Sequence, residues 1–232
     1  ELLDESSVKN IVMGHTRWAT HGKPNDKNAH PHISMNKKLA IVHNGIIENY
    51  DSLKEGLIQR GYKFNSDTDT EVLVNLIEYI KDDLNVTLIE ALQQTLTQVI
   101  GAYSIAVMCI DEPENIILAK KGSPLVIGVG KEEYFIASDP APFLKYTKRA
   151  IYLDDGEIAE ISKNKLSILT IEKKIKSPTI QKLTMELEEI EKGGFDTFML
   201  KEIYEQPKSI VDTLRGRIIK KTQTIKLRGF NE

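Results

Sequence analysis

The chain has 232 residues, 31 Lys and Arg against 34 Asp and Glu, a formal charge of −3 and a single Cys. One Cys excludes an internal disulfide framework, and no apolar run approaches the ~20 residues that cross a bilayer. A hydrophobic content of 41% is enough for a sizeable core in one large domain or slightly more. No signal-peptide pattern opens the chain, so a cytoplasmic protein is expected. The first residue is Glu1 rather than Met, which reads as a processed or incomplete start. All five His and the only Trp lie between His15 and His43, so the chemistry is expected near the beginning.

In chain order, residues 10–15 read as a short strand, and residues 16–32 as a polar, turn-rich loop. Residues 38–43 read as a buried strand ending at Asn44-Gly45, a turn dipeptide. Asn49 reads as a helix N-cap, Leu53, Leu57 and Ile58 as the apolar face behind it, and Gly61 as the C-terminal cap. A second helix starts near Thr68-Asp69-Thr70-Glu71. A third opens on Thr87-x-x-Glu90, which fits a capping box, and runs toward Gly101. Strands are then expected over 102–110, 116–120, 125–129, 134–138, 150–153, 157–161 and 165–168. Helix resumes from Thr184, is interrupted at Gly193-Gly194, continues over 198–205 and breaks at Gln206-Pro207. A basic stretch, 215–228, follows as a linker. Helices in a block beside closely spaced strands predict an α+β fold with antiparallel sheets. The expected organisation is a domain over 1–205 and a linker over 206–232.

Three clusters can carry chemistry. Arg17 in the loop can hold a carboxylate through two parallel hydrogen bonds, or simply make a surface ion pair beside a space-filling Trp18. Asn44-Gly45 can aim a side-chain amide and a backbone N–H at one point, as an oxyanion hole does, or can form a hairpin turn. Asp67, Asp69 and Glu71 at a helix start suit the helix dipole, and can also receive an ammonium group. His30-Pro31-His32 has no second ligand pair at zinc spacing, so no metal is expected. Gly128-Val129-Gly130 reads as a plain turn rather than a phosphate cradle. Cys109 lies in an apolar strand and reads as an inert buried thiol. The basic tail has no interleaved aromatics, so no nucleic-acid partner is expected.

Together and in order, His15-Thr16-Arg17-Trp18-Ala19-Thr20-His21-Gly22, His43-Asn44-Gly45-Ile46-Ile47-Glu48-Asn49 and Thr68-Asp69-Thr70-Glu71 resemble one family. It is the glutaminase domain of the glutamine–fructose-6-phosphate aminotransferases (isomerising), within the class II glutamine amidotransferases. Gly122-Ser123-Pro124-Leu125, Ala137-Ser138-Asp139 and Lys201-Glu202-Ile203-Tyr204-Glu205-Gln206-Pro207 are similar to it as well. The resemblance implies an N-terminal-nucleophile hydrolase-like four-layer α/β/β/α sandwich, here lacking its first strand and helix.

The resemblance also implies roles. Arg17 would hold the α-carboxylate of glutamine, and Asp69 would accept hydrogen bonds from its α-ammonium. Asn44 and Gly45 would form the oxyanion hole. Trp18, Thr20 and His21 would belong to the loop that closes over glutamine. The family's nucleophile is a Cys at the very N-terminus whose own α-amine is the base. The resemblance begins downstream of that residue, so the chain as given is expected to bind glutamine rather than hydrolyse it. Fructose 6-phosphate would bind through sugar-isomerase domains beyond the chain, in an oligomeric parent enzyme. No cofactor and no membrane partner are implied. The alternatives are a non-catalytic glutamine-binding module, or another class II member such as amidophosphoribosyltransferase, against which the Lys201–Pro207 segment argues.

Overall fold

The computed structural model describes residues 11–16, 22–162, 165–184, 194–214, 218–219 and 224–225. The chain divides into two compact units, 1–183 and 184–232. The first unit contains β1 (His32–Ile33), β2 (Leu39–Ile47), α1 (Tyr50–Gln59), α2 (Asp69–Leu84) and α3 (Leu88–Leu96). Nine further strands follow: β3 (Gly101–Cys109), β4 (Glu112–Lys121), β5 (Val126–Val129), β6 (Tyr134–Ala137), β7 (Arg149–Tyr152), β8 (Glu157–Ser162), β9 (Lys165–Thr170), β10 (Ile175–Lys176) and β11 (Gln181–Lys182). Seven strands form one sheet in the order β1-β2-β3-β4-β8-β9-β10, and four form a second, β11-β7-β5-β6. Neighbouring strands are antiparallel throughout both sheets.

The strand period divides the core in two. Leu39, Ile41 and Ile47 of β2, with Tyr103, Ile105 and Val107 of β3, face the helices and pack with Val72, Leu73 and Ile77 of α2 and Leu88 and Leu92 of α3. The alternate residues Ala106, Ile116, Leu118, Ala159 and Ile161 face Leu125, Ile127, Ile151 and Leu153 of the second sheet. Both faces of the large sheet are therefore covered. That is why its central strands read as unbroken apolar runs rather than alternating ones. The described residues of the first unit supply helices, large sheet and small sheet, three layers of an α/β/β/α stack.

Helix ends follow local chemistry. Thr68 caps α2 by accepting from the Glu71 N–H, and Thr87 and Glu90 form a reciprocal capping box on α3. Gly61, at φ 91°, directly follows Arg60, the C-cap residue of α1. There the Tyr62 N–H reaches Leu57 O and the Gly61 N–H reaches Ile58 O, a Schellman closure. Asn49 occupies the N-cap position of α1 but does not cap it. Its side chain instead bonds Gln98 O and the Ile100 N–H, tying α1 to the segment before β3.

Four expectations need correction. Asn44-Gly45 is not a turn, because β2 continues through it to Ile47 in unbroken register with β3. Gly45 makes this possible. Its φ is 132°, and a Cβ there would lie 2.1 Å from Ala102 O. Gly101 does the reciprocal, at φ 131° with Ile46 O at 2.1 Å from where its Cβ would be. Two residues without side chains let the strands close where any other pair would collide. Residues 11–15 carry no ladder bonds and are not a strand, although Ile11 and Met13 pack on the inter-sheet core as alternation predicts. Gln206-Pro207 does not end the last helix, α4 (Phe198–Leu214), which contains Pro207. Proline removes one i→i−4 bond, and the turns on either side hold the 17-residue helix together. The tail includes a two-stranded ladder, β12 (Ile218–Ile219) with β13 (Thr224–Ile225), where a plain linker was expected. Residues 185–193, where a helix was expected to start, lie outside the described residues.

Gly101→Ala should destabilise the chain by at least about 1–3 kcal/mol through forced strain, read as a lowered urea midpoint. An unchanged midpoint would contradict the reciprocal glycine contact. Asp155 accepts hydrogen bonds from the Lys120 ammonium and the Gly122 N–H, which hold its carboxyl below the ordinary 3.8. Its contribution is therefore complete above 3.8 and lost as pH falls through the lowered folded value. Asp155→Asn should flatten that part of the acid limb of an unfolding profile taken against pH.

Candidate active site

The site is built on one edge of β2. Two bonds bracket its ladder with β3: Ile110 N–H to Lys38 O at 2.9 Å, and Glu48 N–H to Ile100 O at 2.8 Å. In an antiparallel ladder such bonds recur on every second residue, so the even-numbered residues of β2 face β3. The odd-numbered N–H groups point to the opposite edge. The Leu39 N–H there meets Ser34 Oγ at 3.0 Å, and the Ile47 N–H meets Asp69 Oδ2 at 2.8 Å. The Gly45 N–H lies on this same edge, two residues before Ile47.

Asn44 projects from the face that Val42 also occupies, toward the second sheet, and its side chain is exposed. Its Oδ1 lies 2.8 Å from His15 Nε2. A cavity of about 470 Å³ opens between the sheets, lined by Met13, Val42, Ala106, Ile116, Ile136 and Phe143 among others. Val42 is part of its lining, so the next residue on the same face of β2 is Asn44.

The N-terminus of α2 faces the strand edge from the helical side. Asp69 is buried, with its second oxygen 3.4 Å from the Thr70 hydroxyl. Thr70 Oγ1 is 3.0 Å from His43 Nδ1 and 3.1 Å from His30 Nε2. Thr68 Oγ1 is 3.0 Å from His32 Nε2. His30 stacks on His15 with ring centroids 4.4 Å apart, and meets His32 edge-on at 4.9 Å. Glu71 turns back to accept from the N–H groups of Asn65 and Ser66. Four imidazoles thus converge on the first turn of one helix and on Asn44.

Of the residues expected in the site, Asn44, Gly45 and Asp69 are brought to the same stretch of β2. Arg17, Trp18, Thr20 and His21 lie outside the described residues. Asp69 does not cap its helix; Thr68 does that, and the Asp69 carboxylate is spent on the strand. Cys109 is buried on the helical face of β3, and burial pushes its thiol above the ordinary value. That environment suits an inert thiol rather than a nucleophile. Among the described residues no group of three or more His, Cys, Asp or Glu is arranged to hold a metal ion. His15, His30, His43 and Thr70 received no role from the sequence. Their signal was there, in the confinement of every histidine to residues 15–43.

Chemically, this edge offers the Gly45 N–H and, two residues on, the carboxylate bonded to the Ile47 N–H, with the Asn44 amide on the adjoining face of the strand. Strand geometry separates Gly45 from Ile47 by roughly 7 Å, comparable to the reach of glutamine from its ammonium to its side-chain carbonyl.

A family model described as a glutamine amidotransferase domain matches residues 15–145. The chain is 53% identical over 209 residues to the glutamine–fructose-6-phosphate aminotransferase (isomerizing) of Bacteroides thetaiotaomicron, covering 90% of this chain and 34% of that protein. It is 49% identical over 223 residues to the enzyme of the same name from Chlorobaculum tepidum, covering 96% and 36%. The counterpart from Pyrococcus horikoshii is 49% identical over 212 residues, covering 90% and 35%. The chain thus spans about a third of the length of these curated relatives. Among solved structures, glutamine phosphoribosylpyrophosphate amidotransferase from B. subtilis, complexed with ADP and GMP, superposes with a TM-score of 0.58. The identity there is 28%, over 69% of this chain and 35% of that one. An antiparallel two-sheet core with helices on one face, the motif series from His15 to Glu71 and these matches agree: the chain belongs to the glutamine amidotransferase family.

Proposed function

We propose that the chain is the glutamine-handling part of a glutamine–fructose-6-phosphate aminotransferase, which passes ammonia from glutamine to fructose 6-phosphate to give glucosamine 6-phosphate. The observation that carries this reading is the edge of β2, where the Asp69 carboxylate is bonded to the Ile47 N–H, two residues from Gly45 and three from Asn44. In this reading the Asn44 amide and the Gly45 N–H donate to the oxyanion, and Asp69 accepts from the α-ammonium. Arg17 holds the α-carboxylate, and Trp18, Thr20 and His21 close over the bound amino acid. A preformed pair of donors where charge develops is the largest single contribution such a site makes.

The nucleophile in this reading is the N-terminal cysteine that the family resemblance implies, and not Cys109, which is shielded in the core. The α-amine of that terminal cysteine takes the thiol proton as the sulfur attacks the side-chain carbonyl carbon, and the resulting α-ammonium gives that proton to the amide nitrogen, which leaves as ammonia when the oxyanion collapses to the thioester. Water then cleaves the thioester, releasing glutamate and the thiol. No step calls for a metal ion or a nucleotide cofactor. Fructose 6-phosphate binds in the part of the enzyme that this chain does not span, in a cytoplasmic homo-oligomer. Relatives of the aminotransferase name reach 53% identity, against 28% for the phosphoribosyl enzyme, which favours the former chemistry.

Calorimetric titration of the 232-residue chain should show binding of glutamine without ammonia release. Asp69→Asn keeps an acceptor for the Ile47 N–H and removes the charge facing the ammonium. It should weaken glutamine binding by more than about tenfold, as loss of one partner in a desolvated charge pair does, with little change in the unfolding midpoint. Unaltered affinity would remove Asp69 from the site. In the full-length enzyme, Asn44→Ala should lower kcat for glutamine hydrolysis by about 10²–10³. A normal kcat would leave Asn44 a strand residue only.

A further inference from the structure

We infer that His15 is a positioning residue that sets the polarity of the Asn44 amide; this rests on the reading of Asn44 as an oxyanion donor. An asparagine side chain presents a carbonyl on one side and an NH₂ on the other, and only the NH₂ stabilises an oxyanion. Rotated by half a turn, the same residue would aim a carbonyl oxygen at the developing negative charge. Something must choose between the two, and Asn44 is exposed, so the packing around it does not.

The choice is made by His15. Its Nε2 lies 2.8 Å from Asn44 Oδ1. Its Nδ1 is shielded and has no hydrogen-bond partner among the described residues. A proton on Nδ1 would be a buried donor without an acceptor, which costs more than a bare ring nitrogen. The proton of the ring therefore sits on Nε2, and Nε2–H donates to Oδ1. With the carbonyl engaged, the Asn44 NH₂ is directed away from His15.

The ring itself is held. It stacks on His30 at 4.4 Å with 28° between planes, and His30 Nε2 is 3.1 Å from Thr70 Oγ1. Thr70 adjoins Asp69 on the first turn of α2 and lies within 3.4 Å of its carboxylate. A continuous series from Asn44 through His15, His30 and Thr70 thus fixes the amide relative to the carboxylate at the other end of the site. In this role His15 acts through Asn44, the residue its Nε2 meets.

The test uses the full-length enzyme and glutamine hydrolysis. His15→Phe keeps a ring to stack on His30 and removes the donor. It should lower kcat by about tenfold, the loss expected when one orienting hydrogen bond is removed, and leave KM for glutamine unchanged. His15→Gln, whose amide nitrogen can take the place of Nε2, should restore most of the rate. In an Asn44→Ala background, His15→Phe should add nothing, because the residue it orients is gone. A full additive loss in that background, or wild-type kcat for His15→Phe while Asn44→Ala is impaired, would overturn the positioning role and leave the oxyanion hole intact. A normal kcat for Asn44→Ala would instead remove the oxyanion reading on which the role depends.

Discussion

The hydrogen bond from the Ile47 N–H to the Asp69 carboxylate is the constraint on which the rest of the site depends. It joins the last residue of β2 to the first residue of α2, across 22 positions of sequence. A backbone donor at an exposed strand edge would ordinarily be met by water or by another strand. Here it is met by a buried, charged acceptor at the positive end of a helix, where negative charge is favoured. The strand end and the helix start are thereby fixed to one another. Everything placed on either, including Asn44, Gly45, Thr70 and the imidazoles, inherits that relation.

The same helix carries an unusual load of buried polar groups. Beyond the first turn, Asn75 accepts from the Met35 N–H, and Glu78 accepts from Ser34 Oγ and the Asn36 N–H. The turn between β1 and β2 is thus held by side chains of α2 rather than by its own backbone alone. Buried polar groups of this kind are costly unless satisfied, and when satisfied they specify one arrangement. The apolar core would tolerate small shifts of α2 along the sheet; the polar contacts do not. The protein uses packing for stability on one side of the helix and hydrogen bonding for register on the other.

Much of this was legible in the sequence, for identifiable reasons. The helices at Thr68 and Thr87 announce themselves through side chains that satisfy their own first N–H groups, a local interaction. The unbroken apolar runs of β3, β4 and β8 likewise mark strands covered on both faces. What could not be read was decided by distant partners. Asn44-Gly45 has the composition of a turn, and only the reciprocal Gly101 on β3 lets it remain a strand. Asn49 has the composition of a cap, and its side chain is drawn instead to residues 98 and 100. Asp69 was visible as a candidate because of its charge. Its bond to Ile47, and the convergence of His15, His30 and His43 on Thr70 and Asn44, exist only once the chain has folded.

The burial of Cys109 has a practical side. The chain's only thiol lies on the covered face of a central strand, packed against the helices, with its ionisation further suppressed by burial. Reagents that act on thiolates reach it only when that strand opens, which in a cooperative sheet is close to complete unfolding. Its labelling rate therefore serves as a built-in gauge of global opening.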